Sequence, residues 1–201
     1  SPSYRWPAEM IRDNALKASG LLVEEIGGPS VKPYQPEGLW EEVLMASDKL
    51  AKYVPSEGKD LYRRSLYTFS RRFAPNPSMI NFDATSREIC TIRRNVTSTP
   101  LQALTLLNDP QFVEASRVLS EKLQKEFPDN VKQQIEVAFR RSTGLKPNTE
   151  QMDILNGHYL KSLEQFKKAP SMTDSILSVG EWPYDKLLSK EKTAALTLVV
   201  N

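Results

Sequence analysis

Thr99-Pro100-Leu101-Gln102-Ala103-Leu104-Thr105-Leu106-Leu107-Asn108-Asp109-Pro110-Gln111-Phe112-Val113 carries two helix starts in one short span. Thr99 suits an N-cap and Pro100 the first helical position, where its missing N–H costs nothing. Leu101, Leu104, Thr105 and Leu107 then supply the expected apolar face. Asn108-Asp109-Pro110 repeats the stop and start, with Asp109 as the cap of a longer helix. That second helix is expected to run to about Phe127, turning Phe112, Leu119 and Leu123 inward before Pro128 ends it.

Helical punctuation continues toward the C-terminus. A helix from about Asn130 to Arg141 is expected to bury Val131, Ile135, Ala138 and Phe139, with Gly144 after its end. From Asn148 to about Lys168, Met152, Leu155, Tyr159, Leu163 and Phe166 recur at intervals of three and four, the clearest helical period in the chain. Pro170 breaks that pattern, Asp174 to Val179 reads as a short helix, and Glu181-Trp182-Pro183-Tyr184 as an aromatic turn. Lys190 to Val200 reads as a helix whose apolar run stops abruptly, so the chain is expected to be cut inside an element.

Toward the N-terminus the signals become irregular. Ala8 to Ser19 reads as a helix between Pro7 and Gly20, with Ile11, Ala15 and Ala18 on one face. Gly27-Gly28-Pro29 and Pro33-Tyr34-Gln35-Pro36-Glu37-Gly38 forbid regular structure, which gives a long shaped loop anchored by Tyr34 and Trp40. A short helix is expected from Leu39 to about Ala46. Tyr62, Leu66, Phe69 and Phe73 fall at helical spacing and predict a helix over Asp60 to Phe73, although the aromatic content also tolerates a strand. Pro75, Asn76 and Pro77 stop it, and 78–95 reads as irregular or briefly helical. The fold class expected is mainly α: one domain, 1–201, with an irregular, loop-rich N-terminal lobe (1–95) packed on a helical C-terminal array (96–201).

Composition excludes several functions. With 201 residues and a formal charge of +2, no broad electrostatic field favours nucleic acid. One cysteine and one histidine exclude an internal disulfide framework and a zinc-type His/Cys cluster. No stretch approaches the roughly 18 apolar residues of a membrane span, so no membrane insertion is expected. No GxGxxG, P-loop, HExxH, GxSxG or C-x-x-C-H pattern is present, and no cofactor is expected.

What stands out is a run of arginine without lysine. Between Lys59 and Lys122 there is no lysine, yet Arg63, Arg64, Arg71, Arg72, Arg87, Arg93 and Arg94 crowd the first half of that interval. Guanidinium groups fit bidentate, partly buried bonding or recognition of an anion. One reading makes them cross-links between loops, with Asp60, Asp83, Glu88 and Asp109 as partners. The other makes them a ligand site for phosphate, sulfate or an acidic glycan, with Tyr34 and Trp40 as aromatic neighbours. Cys90, between Ile89 and Ile92, reads as a small hydrophobe in an apolar setting rather than a nucleophile. His158 reads as a surface or boundary residue. Glu37, Glu41, Glu42, Asp83, Glu88 and Asp109 are the candidates for paired-carboxylate chemistry. Asn95-Val96-Thr97 matches an N-glycosylation acceptor.

Four segments together resemble a known family: Pro33 to Trp40, Asp60 to Phe69, Ser86 to Arg94, and Thr99 through Val113. They are similar to the bacterial domain of unknown function 1553, and the resemblance runs over most of the chain. It implies a domain at the C-terminal part of larger exported proteins, hence an extracytoplasmic home and partners among the other domains of the same full-length protein. No catalytic residue comes with it. The sequence therefore points first to a non-catalytic binding or assembly module that recognises an anionic glycan or a partner domain. The alternative is part of an enzyme acting on extracellular polysaccharide.

Overall fold

The computed structural model describes residues 5–40, 52–72 and 74–201. Its α-helices are α1 (Ala8–Ser19), α2 (Pro77–Asn81), α3 (Pro100–Asn108), α4 (Pro110–Glu126), α5 (Val131–Thr143), α6 (Thr149–Lys168), α7 (Pro170–Leu177) and α8 (Lys190–Val200). Short 3-10 turns occupy Gly58–Tyr62 and Ser65–Tyr67. Among the described residues, extended pairing is confined to two isolated parallel bridges, Val23 with Arg63 and Val31 with Thr68. The fold is mainly α. The chain divides into two compact units: Ser1–Asp13 with Leu22–Asp109, and Asn14–Leu21 with Pro110–Asn201.

The second unit is a helical array around α8, which packs against α4, α5, α6 and α7. Thr193, Ala194, Ala195, Leu196 and Thr197 of α8 are all buried. A helix this enclosed needs small side chains and no wide polar face, because neighbours approach from several sides. Its threonines satisfy themselves inside: Thr193 and Thr197 donate to the carbonyls of Ser189 and Thr193, at 2.9 and 2.8 Å. The core it completes includes Leu119, Leu123, Ile135, Ala138, Tyr159, Phe166 and Leu177. The periodic positions expected to face inward on α4, α5 and α6 belong to that core or pack against it, apart from Phe112, which is buried elsewhere on α4, and Phe139, which is only half-buried. The Gly144 signal also holds, closing α5 at φ +73°, and at the start of α6 Asn148 and Gln151 exchange reciprocal bonds of 2.9 and 2.8 Å.

Pro170 does more than break α6. It opens α7, whose start at Pro170 precedes the expected Asp174, since proline suits the first helical turn. Thr173 of α7 returns a hydroxyl to the Phe166 carbonyl at 3.1 Å, an acceptor it shares with Ala169 N at 3.3 Å, at the end of α6.

The first unit holds its irregular chain with side chains rather than with a sheet. No α-helix forms over the described part of 60–73, only the two 3-10 turns, which corrects the expectation from periodicity; Phe73 lies outside the described residues. The backbone groups that a helix would pair internally bond elsewhere. Tyr62 O accepts from Val23 N at 3.0 Å, Tyr67 O from Val31 N at 2.9 Å, and Phe69 N donates to Val31 O at 2.8 Å. Helical spacing of four apolar residues is weaker than this competition for donors and acceptors. Leu66 is exposed accordingly. Most of the short helix expected from Leu39 to about Ala46 lies outside the described residues.

On α1, Ile11 packs against the core of Ala8, Met79 and Phe82 and Ala18 against the helical core of the second unit, while the most buried positions are Ala8, Arg12, Leu16 and Ser19. The face expected for α3 is corrected. On α3, Leu101, Leu104 and Leu107 are each more than half exposed. That helix is seated by its polar side. Gln102 donates to Asn81 O at 2.8 Å and Thr97 Oγ1 at 3.1 Å, and Asn81 donates to Thr105 Oγ1 at 3.0 Å. Leu106 alone of its leucines packs against the core of Ala8, Met79 and Phe82.

Candidate functional site

The arginine run separates into members with different surroundings. Arg63 is buried, and its guanidinium fork donates to Pro29 O at 2.8 Å and to the carbonyl of Gly27, stacking 4.2 Å from the Tyr67 ring centre. Gly27 N donates to the Tyr67 hydroxyl at 2.9 Å. This residue ties the glycine turn of the long loop to the segment that follows. Its charge is spent on backbone carbonyls that no helix or strand satisfies.

Four others are engaged at the surface. Arg94 makes a two-point ion pair with Glu9, Arg72 bonds Glu88 at 2.8 Å, and Arg64 lies 3.8 Å from Asp13. Arg71 lies over the Trp40 ring at 4.8 Å. Trp40 itself is buried, edge-on to Tyr53 at 4.9 Å and tilted against Phe69 at 5.9 Å, so its faces are taken by the protein. Tyr34 is half-buried. Asp83 and Glu88, named as candidate carboxylates, are paired with Arg5 and Arg72. Glu37 is exposed, and Glu41 and Glu42 lie outside the described residues.

Arg87 and Arg93 remain. Both are exposed and, among the described residues, neither makes a hydrogen bond or an ion pair. Arg87 has φ +62°, a left-handed conformation that a non-glycine residue seldom adopts. Its loop also turns Ile89, Ile92 and Val96 outward, each more than half exposed. Cys90 is exposed with them, which corrects the apolar setting expected for it: the isoleucines beside it face solvent and build no pocket. His158 is exposed on α6, as expected.

Three arginines outside the cluster do structural work that residue counting missed. Arg12 is buried on α1 and donates to Leu61 O at 2.6 Å, Arg63 O at 2.8 Å and Ser65 Oγ at 3.2 Å. Burial pulls its guanidinium down to about 10, still charged at neutral pH. Arg5 pairs with Asp83, which also accepts Thr97 N at 2.9 Å and Thr97 Oγ1 at 2.8 Å. In the second unit Arg117 is fully buried and bonds Glu121 at 2.6 Å, where burial nonetheless pushes the Glu121 carboxyl up.

A cavity lined by Glu9, Thr68, Asn76 and Arg87 measures about 30 Å³, the size of one water molecule rather than a substrate. A cleft of about 650 Å³ lies in the second unit between α5 and the start of α6. Among the described residues no group of three His, Cys, Asp or Glu side chains could hold a metal ion, and no helix is long and apolar enough to cross a membrane.

These features sit on a chain whose residues 1–159 match the family described as PSD1, protein of unknown function (DUF1553). The protein belongs to that family. No curated protein and no solved structure matches it.

Proposed function

We propose that this chain is a non-catalytic docking module of an exported multi-domain protein, and that its first unit binds another domain of the same protein. The carrying observation is the outward apolar surface of 89–107. Ile89, Ile92 and Val96 of the preceding loop and Leu101, Leu104 and Leu107 of α3 are each more than half exposed, and α3 holds its polar side inward. Leaving such side chains in water forgoes about 1.5–3 kcal/mol for each one that a partner could fully bury. Exposed apolar side chains, where they adjoin, mark interaction surfaces. Arg87 and Arg93, which among the described residues make no hydrogen bond or ion pair, although the charge of Arg87 also acts on Glu9, define the chemistry of the occupant: an apolar face with Asp or Glu at its rim.

A photo-crosslinking amino acid at position 104 of the full-length protein tests this reading. The expected product is an intramolecular crosslink to another domain, at a segment combining apolar and acidic residues, lost when Arg87 and Arg93 are both changed to Glu. A crosslink to a second copy of the chain, no crosslink, or a product indifferent to the charge reversal would each overturn it.

A further inference from the structure

The cleft in the second unit is built by one stripe from each of two helices. Gln133, Glu136, Val137 and Arg140 stand at i, i+3, i+4 and i+7 on α5, and Thr149, Met152, Asp153 and Asn156 repeat that spacing on α6. Each stripe has an apolar residue at its centre. Val137 and Met152 both pack against the hydrophobic core, which gives the cleft a fixed floor.

Its charged rim is uncommitted. Lys132, Glu136 and Arg140 lie four residues apart, the spacing at which opposite charges on a helix meet, yet among the described residues none of them forms an ion pair, and neither does Asp153. Two cations and two anions interleave there, so their fields cancel and an ion of either sign gains little. Side-chain amides line it too: Asn156 adds donors and an acceptor, and Gln133, whose oxygen accepts from Asn130 Nδ2 at 3.0 Å, adds donors. Hydroxyl groups, which donate and accept at once, match such a lining, and the C–H face of a sugar ring matches a methionine and valine floor. We infer that this cleft binds a neutral oligosaccharide. Its volume, about 650 Å³, lies within the range of small-ligand sites. The inference is independent of the docking surface on the first unit.

Amide NMR spectra of the intact chain, titrated with cellohexaose, xylohexaose and maltohexaose to about 5 mM, provide the test, a range that captures weak binding. At least one sugar should shift α5 and α6 signals with saturation, and Asn156→Ala and Glu136→Ala should each weaken binding about tenfold or more while the rest of the spectrum stays folded. No saturable shift with any of the three overturns the inference. So does equal binding by the variants, or a response to the zwitterionic peptide Gly-Gly-Gly in place of the sugars.

Discussion

Glu9 and Arg94, 85 residues apart in sequence, meet through two hydrogen bonds of 2.6 and 3.0 Å. Burial alone would raise the Glu9 carboxyl, but the bonds and charge of Arg94, with a backbone hydrogen bond and the charge of Arg87, outweigh it and hold the group below the ordinary range. Asp83 is held low by the Thr97 backbone N–H, against some desolvation, and by the Thr97 hydroxyl and Arg5. A carboxylate with a depressed folded-state pKa contributes stability above its unfolded value and loses it as pH falls through the folded one. Glu9→Gln should therefore be less stable than the parent at neutral pH, with the difference shrinking to nothing in strong acid. Urea melts of both proteins across that range check the sign.

Arg12 carries a larger share of the first unit. Arg12→Met leaves the carbonyls of Leu61 and Arg63 buried without their donor, which should cost about 2–5 kcal/mol in urea unfolding. Arg12→Lys should recover little of it, since one ammonium on a flexible stem cannot reproduce the fork.

Gly27 and Gly180 have nearly the same backbone, φ +84° and +86°, in unlike surroundings. A Cβ at position 27 meets nothing, whereas at 180 it collides with the Glu114 carboxylate that accepts Trp182 N at 2.7 Å. Gly27→Ala should cost about 1–2 kcal/mol from backbone strain alone. Gly180→Ala should cost about 1–3 kcal/mol more, because it also displaces a buried acceptor. Paired denaturation curves distinguish the two.

Leu101→Ser and Leu104→Ser should each change the stability of the chain by no more than about 0.5 kcal/mol, as their side chains already face water. Leu123→Ala, at a fully buried site, should cost about 2–5 kcal/mol. Equal losses at the three positions would show that α3 packs its leucines inward after all.

Cys90 should react with a thiol reagent such as dithionitrobenzoate in the native protein, to one equivalent and without prior unfolding, because it is exposed. Protection until denaturant is added would contradict its placement.

Where several helices begin and end was legible because caps and prolines act locally: Pro100 opens α3 and Gly144 closes α5, as their chemistry requires. Which face of a helix is buried was less legible. Leu101 and Leu104 read as core, yet α3 is fixed by Gln102 and Thr105, and nothing within the helix announces that Asn81 and Thr97 are its polar neighbours. The segment 60–72 misled for a related reason, since its backbone partners, Val23 and Val31, lie some forty residues earlier. Of the arginines, clustering in sequence could not separate Arg63, committed to backbone carbonyls, from Arg87 and Arg93. The stripes of the α5–α6 cleft were present in the spacing, but polar residues on an outer helix face carry no mark of the cleft they line.

Helix α1 has a consequence for how this protein can be divided. Its first half belongs to one unit and its second half to the other, so each unit is assembled from two separated stretches of chain. No single cut of the gene releases either one whole: a fragment starting at Pro110 lacks Asn14–Leu21, including Ala18, which packs against the helical core. Recombination that moved one unit alone would have to carry two pieces and rejoin them.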